Sequence, residues 1–144
     1  MAKSIRGALF DLDDVVVRTD RYHYQAWKRL ADEEGWQFDQ ETGVLLRGMP
    51  RMECLDLILK RNNLELPAEK KKALASRKNA YLVEALCSLG PDDLLPGVVS
   101  FIEGLRSHGT KVGVFSLSQN AGVILESLSL RKLFDAVLTG QDDR

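Results

Sequence analysis

The sequence predicts an α/β fold: a parallel sheet joined by crossover helices, with a helical insertion directly after the first strand. Three observations carry this. Short apolar runs alternate with helix-period segments in the order strand, helical stretch, helix, strand, helix, strand, the signature of parallel strands with crossovers. Two polar clusters, Asp11 to Asp14 and Ser116 to Asn120, stand where strands run out, and open α/β sheets bind ligands outside those ends. The stretch from about Arg21 to Gly90 reads as helical throughout, which a small cap above such a site explains economically.

Taken in order, Gly7-Ala8-Leu9-Phe10 is an apolar run closed by acids, a short buried strand. Val15-Val16-Val17 follows, and Thr19 or Asp20 is placed to cap a helix from about Arg21 to Glu34 that stops at Gly35. Pro50 opens a helix with Leu55, Ile58 and Leu59 on one face, and Pro67 opens a longer one ending at Gly90. Pro91-Asp92-Asp93 and Pro96-Gly97 mark a domain seam. Beyond it come a helix from Val98 to Ser107, a strand over Lys111 to Phe115, a helix from Ala121 to Leu128 and a strand over Ala136 to Thr139.

With 144 residues, 20 Lys+Arg and 21 Asp+Glu, the chain is a nearly neutral domain of ordinary size. Its only basic run, Lys70-Lys71-Lys72, lies beside Glu69 on the third helix, so a solvated face rather than a nucleic-acid surface is expected. No apolar window is long enough to span a membrane. The N-terminus MAKSIRGALFDLDD meets acids before a signal core forms, so a cytoplasmic protein is expected. Cys54 and Cys87 have no partner at metal-ligand spacing and read as buried, reduced thiols.

Asp11 and Asp13 are carboxylates at i and i+2 where a strand ends, and both can lean into one cavity if the chain bends there. Two such acids repel unless a cation intervenes or one stays protonated. Oxygen-rich anionic sites suit Mg²⁺, which takes one or two carboxylates with water and phosphate oxygens. One carboxylate can then attack phosphorus while its neighbour moves protons. Acids after strands also occur in plain turns, and spacing alone does not separate the two readings.

The surrounding residues do more. Phe10-Asp11-Leu12-Asp13-Asp14-Val15-Val16 resembles the first motif of the haloacid dehalogenase-like (HAD) superfamily, and Val114-Phe115-Ser116 its second. Tyr22-His23-Tyr24-Gln25-Ala26-Trp27-Lys28 is similar to the first cap helix of the β-phosphoglucomutase group, and Arg47-Gly48-Met49-Pro50-Arg51 to its sugar-phosphate loop. Arg77-Lys78-Asn79, Leu95-Pro96-Gly97, Ser116-Leu117-Ser118-Gln119-Asn120 and Phe134-Asp135-Ala136-Val137 follow in matching order. The resemblance implies a partial Rossmann-like three-layer core from residues 1–18 and 92–144, with a helical cap at 19–91. It implies a Mg²⁺-dependent phosphatase or phosphomutase acting on a small sugar phosphate through an aspartyl-phosphate. Asp11 is then the nucleophile and a metal ligand. Asp13 is the general acid/base and lends its carbonyl to the metal. Ser116 hydrogen-bonds the transferring phosphoryl group. Ser118, Asn120 and Arg51 hold the distal phosphate, His23 and Lys78 line the cap side, and Gly48 allows close backbone approach.

Each residue also has a plainer reading: His23 as a packed helix histidine, Trp27 as cap core, Ser116 and Ser118 as strand-end hydroxyls, Asn120 as a helix N-cap. Arg51, at a helix start, opposes the helix dipole, which favours an anionic partner.

The chain departs from the pattern at Asp14, where glycine is expected, at Arg18, where an acid is common, and at Gln119, where lysine is common. Asp14 either adds repulsion beside Asp11 and Asp13 or supplies a metal oxygen. The sequence reaches Arg144 before the family's third-motif lysine and fourth-motif acid, so weak or absent turnover is expected. The alternative is a non-catalytic module that binds at most phosphate or Mg²⁺. With strands missing beside Gly7 to Asp11, that strand becomes an open edge, and a homo-oligomer that covers it is expected.

Overall fold

The computed structural model describes residues 4–140. The chain divides into two compact units, one made of the residues up to Thr19 together with those from Leu86 on, the other of Asp20–Ala85.

The first unit is built on three parallel strands, β1 (Gly7–Asp11), β2 (Lys111–Ser116) and β3 (Ala136–Thr139), in the order β1-β2-β3. Asp11 stands opposite Phe115 and Ser116 opposite Thr139, so the polar clusters after β1 and β2 emerge at the same end of the sheet. Strand periodicity puts Ala8 and Phe10 on one face with Val112, Val114 and Ser116. A helix over Val98–Ser107, preceding β2 in the chain, covers that face, and its Phe101 meets Phe10 edge to face with ring centroids 6.1 Å apart. On the opposite face Leu9 and Leu138 are 60% and 54% exposed. Among the described residues β1 pairs only with β2, which leaves its outer edge open.

Past β1 the valine run makes a tight return. Val16 and Val17 both donate to the Leu12 carbonyl, Leu95 donates to Val16, and Val17 bridges to Asp13 and Leu94. Leu12, Val16 and Val17 are fully buried, so apolar burial anchors the loop that carries the acids. At the start of β3, Asp135 copies a strand neighbour: its N–H donates to the Val112 carbonyl at 2.7 Å and its carboxylate accepts from Val112 N–H at 2.8 Å.

The second unit is helical: α1 (Asp20–Glu34), α2 (Gln40–Leu45), α3 (Arg51–Arg61) and most of α4 (Ala68–Leu86). Trp27, Leu30, Leu55, Ile58, Leu59 and Leu74 form its core. The helix over Val98–Ser107 is then α5, and α6 is Ala121–Ser127. The expected starts after Pro50 and Pro67 and the stop at Gly35 (φ 73°) are found. The helix α2 was not expected; Asp39 caps it by accepting from Thr42 N–H at 2.8 Å. The helix α4 ends at Leu86, short of Gly90, and Leu89 N–H turns back to the Leu86 carbonyl. Cys87 falls in that turn and is exposed, while Cys54 is buried. The expectation of two buried thiols is therefore corrected for Cys87, because the helix that would have packed it has already ended. Lys71 and Lys72 pair with Asp56 and Glu69 on the helix surface. Among the described residues no helix is long and apolar enough to cross a membrane.

Candidate active site

The end of the sheet gathers five of the expected residues, Asp11, Asp13, Ser116, Ser118 and Asn120. Ser116, the last residue of β2, is 3% exposed and its hydroxyl donates to Asp13 Oδ2 at 2.7 Å. The same Ser116 oxygen accepts from Ser118 N–H at 3.1 Å, and Ser118 Oγ accepts from Asn120 N–H at 3.1 Å. Asn120 is buried and precedes α6, but its side chain makes no capping hydrogen bond. Hydroxyls that accept local N–H groups hold such turns without a cap.

The second oxygen of Asp13 is taken as well. Thr19, 1% exposed, donates its hydroxyl to Asp13 Oδ1 at 3.1 Å. Thr19 or Asp20 read from the sequence as the helix cap; α1 begins at Asp20, directly after Thr19, and the threonine hydroxyl turns back to the acid. Sequence reading missed this role; the available signal was a hydroxyl between the acids and the helix. Both Asp13 oxygens thus accept hydroxyl protons, which pins the carboxylate in one orientation.

Asp11 ends β1 with an exposed carboxylate and no side-chain partner among the described residues. Asp11 and Asp13 offer an all-oxygen donor set, and no third His, Cys, Asp or Glu joins them into a cluster among the described residues. One free carboxylate plus the Asp13 carbonyl fits a hard cation that keeps most of its water and takes phosphate oxygens, as Mg²⁺ does. Asp14 is not available to such an ion through Oδ1, which accepts from Thr19 N–H at 3.1 Å.

The helical unit gathers the other expected residues. Lys78, on α4, is 2% exposed, and its Nζ lies 3.2 Å from His23 Nδ1 on α1 and 4.8 Å from the Trp27 ring centroid. No carboxylate pairs with it among the described residues. Burial first, then the charge of Arg51, lowers the Lys78 pKa to about 8. Burial, then Lys78 and Arg51, pushes His23 down to about 4. His23 is therefore neutral at pH 7, and its Nδ1 accepts from the ammonium. Trp27 is core, as its plainer reading held, and also offers Lys78 its ring face. Arg51 opens α3, and its Nη2 donates to Asn79 Oδ1 at 2.8 Å; Asn79 was not among the expected site residues. Burial lowers the Arg51 pKa. Gly48 has φ 73°, and nothing lies within 4 Å of where a Cβ would stand, so backbone conformation rather than crowding explains glycine there. The helical unit thus holds two cations around a neutral histidine, with the Asp20 carboxylate opposing their effect on His23.

A profile of haloacid dehalogenase-like hydrolases matches residues 5–144. β-Phosphoglucomutase of Bacillus subtilis (strain 168) is 35% identical over 137 residues, covering 93% of this chain and 60% of that protein. Fructose-1-phosphate phosphatase YqaB of Escherichia coli (strain K12) is 30% identical over 142 residues, covering 96% of this chain and 71% of that protein. A crystal structure of β-phosphoglucomutase from Clostridium difficile superposes with a TM-score of 0.85 at 34% identity, covering 98% of this chain and 64% of the other. The chain therefore spans 60% of the length of the first of these relatives and 64% of the solved structure. Parallel strands in this order, an aspartate pair behind β1 and a serine ending β2, together with the profile match along nearly the whole sequence, have one explanation: the chain belongs to the haloacid dehalogenase-like hydrolase family.

Proposed function

We propose that the chain carries the phosphoryl-transfer centre of a phosphatase or phosphomutase for a small sugar phosphate. The observation that carries this reading is the Ser116–Asp13–Thr19 hydrogen-bond cluster beside the exposed Asp11 carboxylate, at the carboxyl ends of β1 and β2. The names of the relatives, a phosphoglucomutase and a sugar-phosphate phosphatase, support the substrate class.

In this reading Asp11 Oδ attacks phosphorus, the bond from phosphorus to the sugar oxygen breaks, and Asp13 gives that oxygen a proton. The aspartyl-phosphate is then cleaved by water, or by a sugar hydroxyl in a mutase, with Asp13 taking the proton back. Ser116 turns its hydroxyl from Asp13 to a phosphoryl oxygen. Ser118, Asn120 and Arg51 bind the far phosphate of the sugar, and Lys78 and Gly48 serve the cap-side contact with His23. Arg51 suits that role because its planar fork binds phosphate through two donors. Asp11 and the Asp13 carbonyl would hold Mg²⁺, which would supply charge neutralisation for the transfer. Residues 19–91 act as the cap that reads the substrate.

A second reading, an anion-binding module without turnover, is favoured by one observation. Ser116 holds Asp13 Oδ2 while Thr19 anchors Oδ1, so Ser116 must let go of the acid/base before it can act, and slow turnover follows. Hydrolysis of p-nitrophenyl phosphate with Mg²⁺ separates the two readings. The enzyme reading expects turnover that drops by about 10²-fold or more in Asp11→Asn. Phosphate binding with no turnover leaves the module, and equal rates in both proteins remove Asp11 as nucleophile. The open edge of β1 and the bare sheet face are read as a self-association surface, giving a homo-oligomer.

A further inference from the structure

Asp14 occupies a position with φ 60°, the left-handed region that side chains other than glycine, asparagine and aspartate adopt at a cost. Its N–H donates to the Val17 carbonyl at 2.7 Å, closing the turn after the acids. Its carboxylate faces along the same loop: Oδ1 accepts from Thr19 N–H at 3.1 Å. Thr19 is also the residue whose hydroxyl reaches Asp13 Oδ1, and it is the last residue of the sheet unit before the chain enters the helices. The loop is thereby tied twice across its width, once by backbone and once by the Asp14 side chain. A glycine would take this φ without strain but would leave Thr19 N–H without that acceptor.

We infer that Asp14 is a positioning residue: by holding the Thr19 backbone, it aims the Thr19 hydroxyl at Asp13 and keeps the other Asp13 oxygen on Ser116. The third carboxylate thus does more than add repulsion beside Asp11 and Asp13. It substitutes a side-chain brace for glycine's conformational ease. The consequence for turnover rests on the phosphoryl-transfer reading above, whereas the brace itself does not.

The test uses Asp14→Gly, Asp14→Ala and Asp14→Asn in the full chain, read by nuclear magnetic resonance. Asp14→Gly fits the backbone and so remains foldable. Asp14→Asn retains an oxygen acceptor. The wild type is expected to show a scalar coupling across the hydrogen bond from the Thr19 amide nitrogen to the Asp14 carboxyl carbon, a slowly exchanging Thr19 amide and a visible Thr19 hydroxyl proton. Asp14→Gly and Asp14→Ala are expected to lose the hydroxyl signal and exchange the Thr19 amide roughly tenfold faster, and Asp14→Asn to keep both signals. Thr19 signals unchanged in Asp14→Gly would overturn the inference, as would their loss in Asp14→Asn. Where the enzyme turns over, kcat falls in Asp14→Gly with KM held and returns in Asp14→Asn. Turnover unaffected by Asp11→Asn defeats the phosphoryl-transfer reading alone, because the Thr19 signals still decide the brace.

Discussion

At the scale of single residues, the helical unit makes a prediction through proton linkage. The folded-state pKa of His23 is about 4 against an ordinary 6.5, so between those values the unfolded chain binds more protons, and stability falls as pH drops through that window. The expected loss is roughly 3 kcal/mol if the shift is realised in full. Lys78, at about 8 against 10.5, acts in the same sense at higher pH: stability rises as pH rises from 8 to 10.5. Urea unfolding as a function of pH checks both slopes. A proton titration of the imidazole should give a midpoint near 4. Lys78→Met should raise that midpoint only part of the way to 6.5, because burial is the larger cause. The midpoint left in place by Lys78→Met would refute the contact. That Asp11, Asp13 and Ser116 come together was legible because a strand end fixes where such side chains emerge. Thr19, Asn79 and the burial of Lys78 were not. Each depends on which partner a side chain meets across the fold, and periodicity carries no such information.

At the scale of elements, local chemistry decided what could be read. Proline at the starts of α3 and α4 and glycine after α1 are stop and start signals that act within a turn, so those helices were visible. The helix α2 is six residues long, too short for a repeating apolar face, and it exists because Asp39 caps it and Gly43 lets it settle on α1. A Cβ at Gly43 would stand 2.5 Å from Tyr24 Cδ2, and that ring also packs against Phe38 with centroids 5.4 Å apart. Gly43→Ala should therefore destabilise by about 1–3 kcal/mol through overpacking. Leu55→Ala, which empties a fully buried site in the helical core, should lose about 2–5 kcal/mol. Thermal or urea unfolding measures both. A Gly43→Ala protein as stable as the parent would mean that α2 does not lie against Tyr24.

At the scale of the whole molecule, the described residues cover the sheet on the Phe10 side, leave it bare on the Leu9 side and leave β1 one open edge. An edge of that kind templates pairing with another chain, and Leu9 with Leu138 adds apolar area. Sedimentation velocity should find the chain associated, with Leu9→Lys shifting it toward monomer; a folded, monomeric parent would contradict the proposed self-association. The alternation of strands and helices made the parallel sheet readable from the outset, since it is repeated along the chain. Which face stays bare depends on where each crossover helix packs, and that emerges only in three dimensions. Whether the Asp11 carboxylate accepts a phosphoryl group is read without turnover by binding beryllofluoride, a mimic of a phosphoryl group on a carboxylate. With Mg²⁺ present, the fluorine resonance spectrum should show protein-bound beryllofluoride in the parent chain and none in Asp11→Asn. No bound signal in the parent, or the same bound signal in Asp11→Asn, would contradict a phosphoryl-transfer centre built on that carboxylate.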